Sequence, residues 1–174
     1  MDLDESALRI YTRSKPLMRT SGPTYRVLVV DDNEDDLHLL QEAVTELALP
    51  IVMETCASAT HAVDLLGIDR EFNMILSDLN MPRITGLELF KSLRSKPEFK
   101  AISMVLMSSS RRTNLPHSIV NELQFPYFTK ATTWPEFLIL AQEMYSTLRD
   151  GRSHESGRLL AERMTPPKGF PKAD

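Results

Sequence analysis

Residues 74–89 read MILSDLNMPRITGLEL. Phe72–Ser77, with Met74-Ile75-Leu76 at its centre, is expected as a buried strand, and it stops at Asp78. Met81-Pro82 then breaks the chain. Thr85 followed three residues later by Glu88 forms a capping box, and Leu89, Phe90 and Leu93 supply the apolar stripe of the helix it opens. A buried strand ending in a carboxylate and passing through a turn into a capped helix is one β–loop–α unit of a parallel sheet.

The same unit recurs on both sides. Arg26–Val30 is a β-branched strand ending at Asp31-Asp32; Asn33 caps the following helix, whose first turn carries Glu34, Asp35 and Asp36. Leu37, Leu40, Val44 and Leu47 repeat at helical spacing until Pro50 closes the element. Ile51–Thr55 is a strand, and Ala59–Leu66 a helix ending at Gly67. Ser103–Met107 is a strand running into Ser108-Ser109-Ser110, and a weaker helix spans about 116–123. Phe125–Thr129 is the fifth strand, ending at Lys130; Pro126 cannot donate a ladder hydrogen bond, which puts this strand at an edge. Thr133 with Glu136 caps a last helix expected to bury Phe137, Leu138, Ala141, Met144, Tyr145 and Leu148. Five strands alternating with five helices predict an α/β fold: a flavodoxin-like, doubly wound, five-stranded parallel sheet in the order 2-1-3-4-5, with helices on both faces.

The chain has 174 residues and a formal net charge of −4. That charge is unevenly spread: residues 25–150 hold 11 basic and 18 acidic side chains, a net of −7. An acidic middle argues against direct nucleic-acid binding, which depends on clustered Lys and Arg. Glycine and proline crowd the last 24 residues, whereas Gly67 and Gly86 are the two glycines of the middle. The reading is an N-terminal extension (1–24), a folded domain (25–150) and a flexible C-terminal tail (151–174). The tails are too small for a helix-turn-helix module, so no DNA-binding output of its own is expected. No apolar run is long enough to cross a bilayer, and the N-terminus lacks a secretory pattern, so no membrane contact and a cytoplasmic setting are expected. One cysteine, Cys56, excludes an internal disulfide, and four scattered histidines form no metal-binding pair. Cys56 and His61 are read as structural.

In a sheet of this order ligands bind beyond the carboxyl ends of the strands, at the switch point between strands one and three. Asp31, Asp32, Asp78, Ser108 and Lys130 all fall at those ends. Each alone has a plainer role, as a helix cap, a turn former or a solvated lysine. Together they make a carboxylate pocket whose mutual repulsion calls for a hard divalent cation, and Mg²⁺ suits few carboxylates plus waters. A lysine and a hydroxyl facing that cluster suit a phosphoryl group.

Four stretches, VLVVDDNEDD (27–36), MILSDLNMPRITGLEL (74–89), MVLMSSS (104–110) and YFTKA (127–131), carry a family likeness. The sequence resembles the receiver domain of two-component response regulators, with some features of the single-domain regulators paired with phytochrome-type kinases. The resemblance implies that Asp78 accepts a phosphoryl group from a sensor histidine kinase. It implies that Asp32 binds Mg²⁺ directly, Asp31 mainly through water, and Asn80 through its main-chain carbonyl. It makes Lys130 the partner of Asp78 and then of the phosphoryl oxygens, Ser108 the switch hydroxyl and Tyr127 the switch aromatic. Such a protein is a phosphoacceptor with slow self-dephosphorylation, not a turnover enzyme. Ala131 and the segment Glu122–Pro126 depart from the usual pattern and bear on the output face, not on the acceptor site. Two alternatives compete. A haloacid-dehalogenase-type phosphatase also uses an aspartyl phosphate with Mg²⁺, but wants D-x-D after the first strand, whereas Asp78-Leu79-Asn80 follows the third and Asn80 is no acid. A phosphorylation-independent adaptor would have no use for the full acceptor set. Finally, Phe125, Tyr127, Phe128, Trp134, Phe137, Leu138, Ile139, Leu140, Met144 and Tyr145 exceed what one helix stripe can bury, so an exposed patch is expected. It would support a homodimer or a kinase contact through the face of the fourth helix, fifth strand and fifth helix.

Overall fold

A computed structural model describes residues 23–109 and 125–150. The strands are β1 (Tyr25–Val30), β2 (Ile51–Cys56), β3 (Met74–Asp78), β4 (Ser103–Ser108) and β5 (Tyr127–Thr129); the α-helices are α1 (Glu34–Glu46), α2 (Ala59–Ile68), α3 (Gly86–Arg94) and α4 (Trp134–Arg149). A 3₁₀ turn, Pro97–Phe99, leads into β4. The helix expected over 116–123 lies outside the described residues, as do the end segments apart from positions 23 and 24.

All strands pair in parallel in the order β2-β1-β3-β4-β5. The period-2 alternation of each strand divides the core. Val27, Val29, Met74, Leu76, Val105, Met107 and Phe128 face α1 and α4. Leu28, Val30, Ile75, Met104 and Leu106 face α2 and α3. Every residue of β3 is buried, Ser77 and Asp78 included, as its place at the centre of a parallel sheet requires. β5 is an edge strand, and Pro126 still serves the ladder as an acceptor: the Leu106 N–H donates to its carbonyl at 2.9 Å.

The local signals are largely realised. The Asn33 side chain accepts from the Asp35 N–H at 3.1 Å to cap α1. At α3, the Glu88 N–H donates to the Thr85 hydroxyl, while the Thr85 N–H donates to the Glu88 carboxylate. At α4, the Glu136 carboxylate accepts from the N–H groups of Thr132 and Thr133 and from the Thr132 hydroxyl.

Several details differ from the sequence reading. The third strand starts at Met74, not Phe72, and the fifth at Tyr127, not Phe125; both phenylalanines are buried just ahead of their strands. Helix α1 reverses before Pro50, at Ala48 (φ 48°), where the Ala48 and Leu49 N–H groups return to the carbonyls of Thr45 and Val44. Helix α2 runs through Gly67 to Ile68. The buried stripe of α4 is Phe137, Leu140, Ala141 and Met144, because it packs against α1; Leu138, Tyr145 and Leu148 are only half-buried. Trp134 and Ile139 are also half-buried, so the exposed apolar patch expected there does not form among the described residues. The exposed large apolar side chains among them are Val52, Val63, Ile68 and Ile84.

Candidate phosphoacceptor site

The sheet register gathers the polar residues. Val30 pairs with Ser77, which places Asp31 beside Asp78 at the carboxyl edge. Asp78 pairs with Met107, and Ser108 with Thr129, so Ser108 ends the next strand and Lys130 directly follows the one after it. Ligand oxygens of Asp31, Asp32 and Asp78 lie within 4.8 Å of one another. Asp31 is 1% exposed and Asp78 6% exposed, whereas Asp32 is open to solvent at the rim.

Lys130 spans the cluster. Its ammonium lies 2.7 Å from Asp31 Oδ2, 3.0 Å from Asp36 Oδ2 and 3.4 Å from Asp78 Oδ2. It also donates to Asp31 Oδ1 at 2.9 Å, and that oxygen accepts from the Asn33 N–H. Asp31 Oδ2, although close to the ammonium, has no aligned hydrogen bond. Burial opposes the Lys130 charge, but the hydrogen bonds it donates to Asp31 and Asp36 and the fields of Asp31 and Asp78 outweigh it and raise its pKa. Burial pushes the Asp31 carboxyl above its usual range, against the pull of Lys130 and the Asn33 amide.

The remaining expected residues sit around this core. The Asn80 N–H points to Asp78 Oδ1 at 3.4 Å, and its own side chain is exposed. Ser108 is fully buried, and its carbonyl accepts from the Lys130 N–H at 2.9 Å. The Tyr127 hydroxyl donates to the same carbonyl at 3.4 Å from a half-buried position. Two features escaped the sequence reading. Asp36 was assigned only to the positive end of α1, yet it reaches Lys130. Gly86 stands in the sequence reading only as one of the two glycines of the middle. An added Cβ there would stand 2.2 Å from the Asp78 carbonyl oxygen and 2.8 Å from Ser77 Oγ, so α3 abuts the backbone that carries Asp78.

Residues 27–138 match the family model described as "Response regulator receiver domain". The chain belongs to the response regulator receiver family. Among curated relatives, it is 34% identical over 87 residues to two-component response regulator ORR3 of Oryza sativa subsp. indica, covering 50% of this chain and 65% of that one. It is 31% identical over 106 residues to two-component response regulator ARR15 of Arabidopsis thaliana, covering 55% of this chain and 50% of that one. The chain thus spans about half to two thirds of the length of these relatives. Solved structures bear out the fold. A phosphorylated cyanobacterial phytochrome response regulator, RcpA, aligns with a TM-score of 0.64 at 23% identity, covering 77% of this chain and all of that one. The chemotaxis response regulator CheY4 of Vibrio cholerae aligns at 0.57 and 23% identity, covering 71% of this chain and 99% of that one. Receiver domains are signalling modules of two-component systems that take Mg²⁺ at an acidic pocket. No helix among the described residues is long and apolar enough to cross a membrane.

Proposed function

We propose that this protein accepts a phosphoryl group on Asp78 from the phosphohistidine of a sensor histidine kinase in the cytoplasm, and signals by changing its protein contacts. The observation that carries this reading is the convergence of three carboxylates on one lysine, with Asp78 nearly buried between them. An Asp78 carboxylate oxygen forms the P–O bond as the P–N bond of the donor breaks; the imidazole nitrogen keeps the electron pair and takes up a proton. Phosphoryl transfer asks mainly for alignment and charge stabilisation, and Lys130 is placed to supply the second.

The residues present fit Mg²⁺. The donors are hard oxygens at one point, and Asp31 carries a buried oxygen lacking an aligned hydrogen bond. Asp31, Asp32, Asp78 and the Asn80 main-chain carbonyl would hold the ion. Once bound, it supplies positive charge where donor and acceptor are both anionic. Ser108 is read as the hydroxyl drawn to new phosphoryl oxygens, and Tyr127, bonded to the Ser108 carbonyl, as the aromatic that repacks in response. The face of β5 and α4, where Tyr127, Trp134 and Ile139 are half-buried rather than exposed, would pass the change to a second copy or to the kinase. Exposed Asn80 has no acidic proton to give a leaving group, which weighs against a turnover phosphatase.

Intact-mass spectrometry after incubation with acetyl phosphate and Mg²⁺ tests the assignment. Wild type should gain one phosphoryl group, and Asp78→Asn none. Labelling that persists in Asp78→Asn would overturn it. Sedimentation with and without beryllium fluoride, on wild type and Ile139→Glu, tests the face; four identical monomers would exclude self-association there.

A further inference from the structure

We propose that Asp36 is a positioning residue of this site, holding one of the Lys130 N–H groups so that Lys130 is only partly available to a phosphoryl group on Asp78. The inference rests on the acceptor reading above and adds a residue to it.

An ammonium has three hydrogens. Around Lys130 stand three carboxylates, those of Asp31, Asp36 and Asp78, and the longest of the three contacts is the one to Asp78. Asp31 has a buried task of its own, since its other contacts fix the turn into α1 through the Asn33 N–H. Asp36 has no such task. It lies in the first turn of α1, where its side chain is 22% exposed, and neither its N–H nor its carboxylate caps that helix. Its one ion pair among the described residues is with Lys130. The two neighbouring acids in the same turn, Glu34 and Asp35, are exposed and make no contact with Lys130. The position therefore selects a carboxylate within reach of the ammonium, beyond what favours acids at a helix N-terminus.

A phosphoryl group on Asp78 adds negative charge and acceptor oxygens beside Lys130. To donate to them fully, the ammonium must loosen a contact it already has. Asp36 is the contact that can be given up, because it is the more exposed partner. Its charge sets a counterweight against the phosphorylated state, so its removal should favour that state.

The test uses the full chain and beryllium fluoride with Mg²⁺, which mimics a phosphoryl group on a carboxylate. Asp36→Asn is isosteric and removes the charge; Asp36→Glu restores it; Asp35→Asn removes an equal charge that does not touch Lys130. Asp36→Asn should bind beryllium fluoride about three- to tenfold more tightly than wild type, the effect of losing one nearby charge in a half-buried site. Asp36→Glu and Asp35→Asn should stay within about twofold of wild type. The ¹⁵N resonance of the Lys130 ammonium should move in Asp36→Asn and return in Asp36→Glu, which a purely structural role would not produce. Equal gains from Asp35→Asn and Asp36→Asn would reduce the effect to overall acidity and overturn the proposal. So would an unchanged affinity in Asp36→Asn. Wild type that fails to bind beryllium fluoride at all would instead overturn the acceptor reading, and this inference with it.

Discussion

Replacing Gly86 by alanine should do measurable damage at the acceptor end of the sheet. The new methyl carbon would lie 2.2 Å from the Asp78 carbonyl oxygen, 2.8 Å from Ser77 Oγ and 3.0 Å from the Asp78 carbonyl carbon. Ordinary contact distance is about 3.5 Å, so more than an ångström of separation must open. The serine hydroxyl can turn aside, but the carbonyl cannot. Its strand is held by β4, and the following Leu79 N–H donates to Met107 at 2.7 Å while the Leu79 carbonyl accepts from Gly86 itself at 3.2 Å. Overpacking of this kind costs about 1–3 kcal/mol, and backbone against backbone belongs at the upper end. Alanine is the better helix former by at most about 1 kcal/mol, less in a first turn. The net expectation is a loss of about 2 kcal/mol, or on the order of 5–10 °C in Tm. Gly67 is the internal control. It lies exposed in α2 with nothing within 4 Å of the added carbon, so Gly67→Ala should gain about 0.5 kcal/mol. Urea unfolding followed by circular dichroism measures both. Gly86→Ala as stable as wild type would refute the claim that α3 is pressed against the Asp78 backbone.

Glu143 in α4 is half-buried, and burial raises its carboxyl pKa. Its ionisation therefore opposes folding: the penalty is absent below the unfolded-state value near 4.5 and grows as pH rises through the folded-state value, so Glu143→Gln should be more stable than wild type at pH 7 and equal to it near pH 3 in urea titrations. The Cys56 thiol is 2% exposed, with burial pushing its pKa up to about 11; iodoacetamide at pH 8 should leave it intact in the native protein and alkylate it in denaturant, as read by mass. Lys130→Met strands the buried Asp31 carboxylate and should cost about 3 kcal/mol at neutral pH, with added Mg²⁺ restoring part of the loss in thermal melts. A chain trimmed to residues 22–150 should fold and keep Asp78 labelling by acetyl phosphate; insolubility would show that an end segment supports the core.

Much of this architecture is written in where apolar runs stop. Val27–Val30, Met74–Leu76 and Met104–Met107 break off at polar residues, so Asp31, Asp78 and Ser108 could be placed at one rim before any pairing was known. Lys130 followed from the same logic, although its strand is shorter than its apolar surroundings, because it starts only at Tyr127 and Pro126 joins the ladder through its carbonyl alone. Helix α4 was harder. Leu138, Ile139, Leu140 and Ala141 are consecutive apolar residues, so periodicity alone admits several stripes, and packing against α1 selects the one through Leu140. Asp36 was hidden for a different reason. Acids in a first turn are favoured by the helix itself, so nothing local distinguishes the one that reaches across to another strand. The closeness of Gly86 to Asp78 is likewise a property of how α3 meets β3.

The ammonium at the heart of the site hangs from the least anchored strand of the sheet. β5 is three residues long, has one neighbour, and hands the chain to Lys130 through a single N–H bond to Ser108. What fixes Lys130 is therefore shared between the ladder and the carboxylates it grips. Any event that alters those grips also alters how firmly the edge of the sheet is closed. The amide hydrogens of this strand, and of Lys130 itself, should then exchange with solvent at a rate set by charge in the pocket. A change of one bond on Asp78 would be legible as the breathing of a strand two places away.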